Sequence, residues 1–186
     1  DGVRILFAGT PAKKDLLGNL IAALLRVLKD TDRIQLVVVG VLLEQAVNYC
    51  SQKALDKYKN NLVFLGRIPQ VQVPSYYHIS DFSAIIREPS RKNTAGFPTK
   101  MAESMAAGCP VLMNQTSDLG DYATDGKNAL IINDYSVDSI EAGLHRILQM
   151  SKDEIVSMKN AARAVGESRF NYRSYLDTAK VFIAKI

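Results

Sequence analysis

Two stretches of the chain hold residue types whose spacing suits an anionic ligand. The first is Gly9-Thr10-Pro11-Ala12-Lys13-Lys14-Asp15. A glycine lets the backbone approach a ligand closely, and two lysines can offset the charge of a diphosphate. The same loop also reads as a solvated turn, with its lysines in water and Asp15 capping the helix that follows. The second stretch is Asn93-Thr94-Ala95-Gly96-Phe97-Pro98-Thr99-Lys100-Met101-Ala102-Glu103. Here a glycine-containing loop runs into a helix start, where free N–H groups and the helix dipole favour an anion. Thr99 and Glu103 are four residues apart and share one helix face, about 6 Å apart along the axis. A phosphate at the helix start would place an attached ribose near Glu103, whose carboxylate can accept from two ribose hydroxyls. The alternative is that Glu103 only pairs with Lys100 on a wet face, a contact of little energetic weight.

These loops need a frame, and the apolar pattern supplies one. Short apolar runs alternate with amphipathic stretches, as in a parallel sheet with helices on its faces. The expected strands are Val3–Ala8, Ile34–Val39, Leu62–Leu65, Phe82–Ile86, Val111–Met113 and Ala129–Ile132. Leu16, Leu17, Leu20, Ile21, Leu24, Leu25 and Leu28 recur at helical spacing after the first strand. Leu43, Ala46, Val47 and Cys50 fit one side of a second helix, and Pro74 opens a short third. Arg87–Phe97 reads as a loop. Pro98 then suits the first position of a helix ending at Ala107, with Met101 and Met105 on its core face, Gly108 at its end and Pro110 blocking continuation. Three further helices close the chain, marked by Ile140, Leu144, Ile147 and Leu148, then Ile155, Met158, Ala162 and Val165, then Tyr175, Ala179, Phe182 and Ile183. The expectation is one α/β domain over residues 1–186, a Rossmann-like, doubly wound parallel sheet of about six strands with helices on both faces and a helical C-terminal extension. In such sheets ligands bind beyond the carboxyl ends of the strands, the end at which both loops fall.

Composition narrows the classes. Hydrophobic residues make up 47% of the 186 and charged residues 23%, ordinary values for a soluble globular domain. The net charge of +4 fits an anionic ligand, but the basic residues are spread without the aromatic interleaving of single-strand binding, so no nucleic-acid partner is expected. Cys50 and Cys109 lie in different elements and read as buried free thiols. His78 and His145 are isolated and suit surface or packing roles, and no residue cluster has metal-ligand spacing. No apolar run reaches membrane-spanning length and no signal pattern opens the chain, so an intracellular location is expected. A strand beginning at Val3 suggests a domain cut from a longer protein.

Gly96-Phe97-Pro98-Thr99-Lys100-Met101-Ala102-Glu103-Ser104-Met105-Ala106-Ala107-Gly108-Cys109-Pro110-Val111 resembles the signature of family 4 retaining glycosyltransferases. Other segments follow in family order. Ile5–Gly9 resembles the opening strand of the donor domain and Leu36–Gly40 its second strand. Phe64-Leu65-Gly66-Arg67 resembles the strand leading to the nucleobase, Asp125–Leu130 a later glycine turn, and Arg169-Phe170-Asn171-Tyr172 the segment opening the last helix. The resemblance covers essentially the whole chain, but only the C-terminal half of such a two-domain GT-B enzyme.

It implies that Glu103 holds the nucleotide ribose, that the backbone of Gly96, Phe97, Pro98 and Thr99 faces the sugar and diphosphate beside Lys100, and that Arg67 and Ile68 contact the base. Gly9 and Thr10 complete the donor site, with Lys13 and Lys14 as candidates for stabilising the leaving group. The family's second glutamate, eight residues before Glu103, is Ala95 here. Its arginine after the first glycine is Thr10, and its loop lysine falls on Asp15. The implied partner is a nucleotide-diphosphate sugar, UDP- or GDP-linked, with no cofactor and no metal. An N-terminal acceptor domain is also implied. The wording Ala-Gly-Phe-Pro-Thr-Lys resembles a branch associated with bacterial surface polysaccharides, which implies a cytoplasmic enzyme able to sit at the inner membrane face. A nucleotide-sugar epimerase of the same fold and a non-catalytic nucleotide-binding module are the alternatives.

Overall fold

In the computed structural model, which describes residues 2–11 and 15–184, six strands pair in parallel in the order β3-β2-β1-β4-β5-β6. They are β1 (Val3–Ala8), β2 (Ile34–Val39), β3 (Leu62–Gly66), β4 (Phe82–Ile85), β5 (Val111–Asn114) and β6 (Ala129–Ile132). The helices are α1 (Leu17–Val27), α2 (Gln52–Lys57), α3 (Val73–Ile79), α4 (Arg91–Thr94), α5 (Thr99–Ala106), α6 (Val137–Gln149), α7 (Lys152–Arg169) and α8 (Leu176–Ile183).

The strands read as near-continuous apolar runs because both sheet faces are covered. Val3, Ile5 and Phe7 of β1 pack with Leu20, Ile21 and Leu24 of α1 and with Ile140, Leu144 and Ile147 of α6. The intervening Leu6 and Ala8 turn to the opposite face, where they join Val37, Val39 and Tyr77. This is the two-residue period of a strand feeding two cores. On that second face α5 packs against α3 and α7. Met101 and Met105 of α5 are fully buried, as their spacing predicts. Helix α7 crosses α5 at backbone contact, since a Cβ on Gly166 would lie 2.6 Å from the Ala106 Cα.

The element order matches the apolar pattern, with three local differences. The second helix is not continuous. Leu43–Asn48 is a 3-10 turn, and α2 starts afresh after Ser51, whose hydroxyl accepts from the Ala54 N–H at 3.3 Å. Serine favours this capping role over a helix interior. The expected apolar side is accordingly not buried, with Leu43 56% and Val47 51% exposed and only Ala46 inside. The stretch after β4 also holds one helical turn, α4, capped by Ser90 through the Asn93 N–H. Pro98 is the N-cap of α5, one residue outside the helix, where its missing N–H breaks no helical bond.

Candidate functional site

The strand order reverses beside β1, which has β2 on one side and β4 on the other. Crossovers leave these neighbours in opposite directions and open a crevice at their carboxyl ends. Gly9 (φ 119°) and Gly40 (φ 102°) turn the chain directly after β1 and β2. A Cβ on Gly40 would stand 2.6 Å from the carbonyl carbon of Gly9, so the two turns touch through backbone alone. A Cβ on Gly9 would stand 2.9 Å from Lys100 Cε. The space these glycines leave belongs to a cleft of about 660 Å3 whose lining includes Gly9, Thr10, Arg67, Ile68, Tyr77, Thr99, Lys100 and Glu103.

Helix α5 opens into this cleft without a side-chain cap. The N–H groups of Thr99 and Lys100 precede the first bond of the helix, which Met101 donates to the Pro98 carbonyl at 2.9 Å. Free N–H groups and an aligned dipole make such a start a receptor for an anion. One turn further on, Glu103 is exposed and forms no ion pair with the described residues. The alternative pairing with Lys100 does not form; the Lys100 ammonium lies instead 2.6 Å from Asp15 Oδ2.

Asp15 is the centre of a charge cluster that the sequence did not reveal. Its second carboxylate oxygen accepts from Arg87 Nε at 2.8 Å, and the Asp15 and Arg87 side chains are only 8% and 9% exposed. Asp15 therefore does not cap α1, whose start carries no side-chain cap. Burial alone would raise the Asp15 pKa. The hydrogen bonds and charges of Lys100 and Arg87 together reverse that, and hold the carboxyl below its ordinary range. Arg87 is fixed through its backbone as well. Its N–H donates to Asn114 Oδ1 at 2.9 Å, and Asn114 Nδ2 donates to its carbonyl at 2.7 Å. The Lys100 ammonium also lies 4.9 Å from the centre of the Phe7 ring.

The pose of α5 depends on a buried serine pair. Ser104 Oγ donates to the Cys109 carbonyl at 2.6 Å, and the Ser83 hydroxyl of β4 lies 2.6 Å from Ser104 Oγ, which leaves Ser83 as the donor between them. Ser104→Ala strands a buried carbonyl and hydroxyl together. We expect it to cost about 1–3 kcal/mol in urea unfolding. A loss below about 0.5 kcal/mol would mean that these bonds do not hold the helix.

Of the residues singled out from sequence, Gly9, Thr10, Arg67, Ile68, Thr99, Lys100 and Glu103 meet at one cleft. The neighbouring Gly96, Phe97 and Pro98 are placed differently. The Phe97 ring turns into an aromatic cluster, 5.4 Å from Tyr122 and 5.6 Å from Phe170, and Pro98 is buried. A Cβ on Gly96 would meet open space. Lys13 and Lys14 lie outside the described residues. Tyr77 joins the site unforeseen: burial, then the charge of Glu103, push its hydroxyl upward, so it stays protonated as a donor in the cleft wall. His78 and His145 are exposed. Both cysteines are free, but only Cys109 is buried, its thiol pushed up to about 12, chiefly by burial; Cys50 is half-buried after the 3-10 turn that breaks the second helix. Among the described residues no group of three or more His, Cys, Asp or Glu could hold a metal, and no helix is long and apolar enough to cross a membrane.

Comparison with known proteins adds to this geometry. The model of the family described as glycosyl transferases group 1 matches residues 2–165. A comparison with curated proteins finds no match. The C-terminal domain of LpcC, a glycosyl transferase group 1 family protein from Francisella tularensis, superposes with a TM-score of 0.72 at 18% identity, over 91% of this chain and 86% of that one. HepE from Anabaena, solved with UDP, gives 0.78 at 15% identity, over 100% of this chain and 49% of that one. Sucrose-phosphate synthase from Thermosynechococcus elongatus gives 0.77 at 17% identity, over 99% of this chain and 45% of that one. The chain thus spans about half the length of these last two. At such identities the likeness shows the fold, the α/β Rossmann-like C-terminal domain of GT-B glycosyltransferases.

Proposed function

Because the chain belongs to the glycosyl transferases of group 1, we propose that it is the donor-binding domain of a family 4 retaining enzyme of GT-B architecture. It holds a nucleotide-diphosphate sugar while a sugar passes to an acceptor hydroxyl with retention at the anomeric carbon. One observation carries this reading: the uncapped start of α5 shares a cleft with Glu103, which is exposed and has no ion-pair partner among the described residues, one turn along. A diphosphate at the helix start puts a ribose within reach of that carboxylate, and Arg67 and Ile68 beyond it face the base. HepE, of the same fold, has been crystallised with UDP and with UDP-glucose. Negative charge grows on the departing diphosphate, and preorganised N–H groups at a helix start stabilise it without reorganisation.

The acceptor site belongs, in this reading, to a second domain across an interdomain cleft. The apolar surface of α8 and the turn before it supports that assignment, with Tyr172, Leu176, Val181, Phe182 and Ile183 all exposed. The full-length enzyme then works in polysaccharide or glycoconjugate synthesis on the cytoplasmic side of a membrane. The test is calorimetric titration of the chain with UDP, GDP, ADP and their sugar conjugates, repeated with Glu103→Ala. One base should bind selectively, and Glu103→Ala should weaken it about 10- to 100-fold, the loss expected for a charge-assisted pair of hydrogen bonds. Equal binding to both forms would remove Glu103 from the site. Sugar transfer to an acceptor by this chain alone would overturn the two-domain assignment.

A further inference from the structure

Two cationic side chains line the cleft among the described residues, Arg67 at the β3 end and Lys100 at the α5 end. Lys100 projects from the first turn of α5, the turn whose free N–H groups suit a phosphate. Its ammonium is not a loose surface charge. Asp15 holds it at 2.6 Å, Arg87 holds the other oxygen of Asp15 at 2.8 Å, and Asn114 clamps the Arg87 backbone. The Phe7 ring and the bare Cα of Gly9 complete its surroundings, since a side chain on Gly9 would overlap Lys100 Cε and Nζ. An ammonium has three N–H donors, and Asp15 takes one. The Lys100 side chain remains 20% exposed, on the cleft side. The cluster as a whole carries a net charge of +1, from two cations and one carboxylate.

We propose that Lys100 supplies the positive charge that meets the diphosphate of the donor, and that Asp15, anchored by Arg87, is its positioning residue. This rests on the donor-site reading above and adds which cation acts and what aims it. Arg87 carries a buried charge that would repel a second free cation, so Asp15 serves both. It neutralises Arg87, and it fixes the Lys100 ammonium over Gly9, in the cleft that the start of α5 also lines. A cation fixed before the ligand arrives loses little freedom on binding, which raises its effect on a developing charge.

The test separates diphosphate recognition from nucleoside recognition. UDP, GDP and ADP, each with its nucleoside, are titrated by calorimetry into the chain and into Lys100→Met, Lys100→Arg and Asp15→Asn. Lys100→Met leaves Asp15 paired with Arg87, so the fold keeps its balance of charge. For the base that binds, it should lower diphosphate affinity about 10- to 100-fold and leave nucleoside affinity unchanged. Lys100→Arg should restore most of that loss. Asp15→Asn should lower diphosphate affinity about fivefold, and this effect should vanish in a Lys100→Met background. A merely structural role for Asp15 would weaken nucleoside and diphosphate alike. Tighter diphosphate binding by Asp15→Asn would overturn its positioning role, and an unchanged ratio of diphosphate to nucleoside affinity in Lys100→Met would overturn the proposal alone. Failure of the unsubstituted chain to bind any nucleoside or diphosphate would instead overturn the donor-site reading, and this proposal with it.

Discussion

Replacing Gly40 by alanine should destabilise the chain by about 3–5 kcal/mol, whereas the same replacement at Gly96 should cost less than about 1 kcal/mol. Gly40 has φ 102°, a region that L side chains rarely adopt, and the backbone strain there is of order 1–3 kcal/mol. Its new Cβ would also stand 2.6 Å from the Gly9 carbonyl carbon, 2.7 Å from the Gly9 oxygen and 2.9 Å from the Thr10 nitrogen. All three atoms are backbone, so relief requires the turns after β1 and β2 to separate. Those turns form the base of the cleft, and nucleotide affinity should fall together with stability. Gly96 has neither problem, since its φ is not positive and a Cβ would meet nothing within 4 Å. There alanine restricts the unfolded chain and changes little in the folded one. Urea unfolding of the two variants, with slopes compared to detect any loss of cooperativity, makes the measurement. Equal costs at the two positions would mean that the contact between the turns does not limit the fold.

The contrast between these glycines also marks what can be read from a sequence. Both sit in loops beside chemistry-bearing residues, and both suggest close backbone approach. Only the folded chain separates the one that touches another backbone from the one that faces open space. The frame itself was legible because β1, β2, β4 and β5 are buried on both faces and therefore spell out apolar runs that local pattern detects. Met101 and Met105 were placed in the core by spacing within one helix, and Glu103 was placed one turn from Thr99 by the same arithmetic. The charge cluster had no such local signature. Asp15 and Arg87 are 72 residues apart, and they meet only because strand order brings the carboxyl ends of β1 and β4 side by side. Read locally, Asp15 before an apolar helix resembles a cap. The direction taken by the Phe97 ring was hidden for a related reason, since its partners Tyr122 and Phe170 come from distant segments.

Asp15→Asn should lower stability by about 3 kcal/mol at pH 7, and the difference from the unsubstituted chain should shrink as the medium is acidified. Removing one partner of a buried ion pair is costly because it strands the other, and here two cations face the vacated charge. Lys100 can turn toward the cleft, being 20% exposed, but Arg87 at 9% exposure cannot reach water without opening the loop after β4. That asymmetry puts the expected cost near the lower end of the range of about 3–5 kcal/mol for broken buried pairs. The pH dependence follows from the direction of the Asp15 shift. Its folded-state pKa is depressed, with Lys100 and Arg87 overcoming the opposing effect of burial. The carboxylate therefore contributes stability that is fully present above its unfolded pKa of about 3.9 and is lost as pH falls through the lower folded value. Urea unfolding at pH 7, 5 and 3.5 should show the two proteins far apart at the first two values and converging at the third. Asp15→Asn combined with Arg87→Met removes the stranded guanidinium and should recover part of the loss, because replacing both partners avoids an unpaired buried charge. A difference that stays constant from pH 7 to 3.5 would mean that the Asp15 charge is not what binds the loop after β1 to the loop after β4. The crevice would then owe its shape to the glycine turns alone.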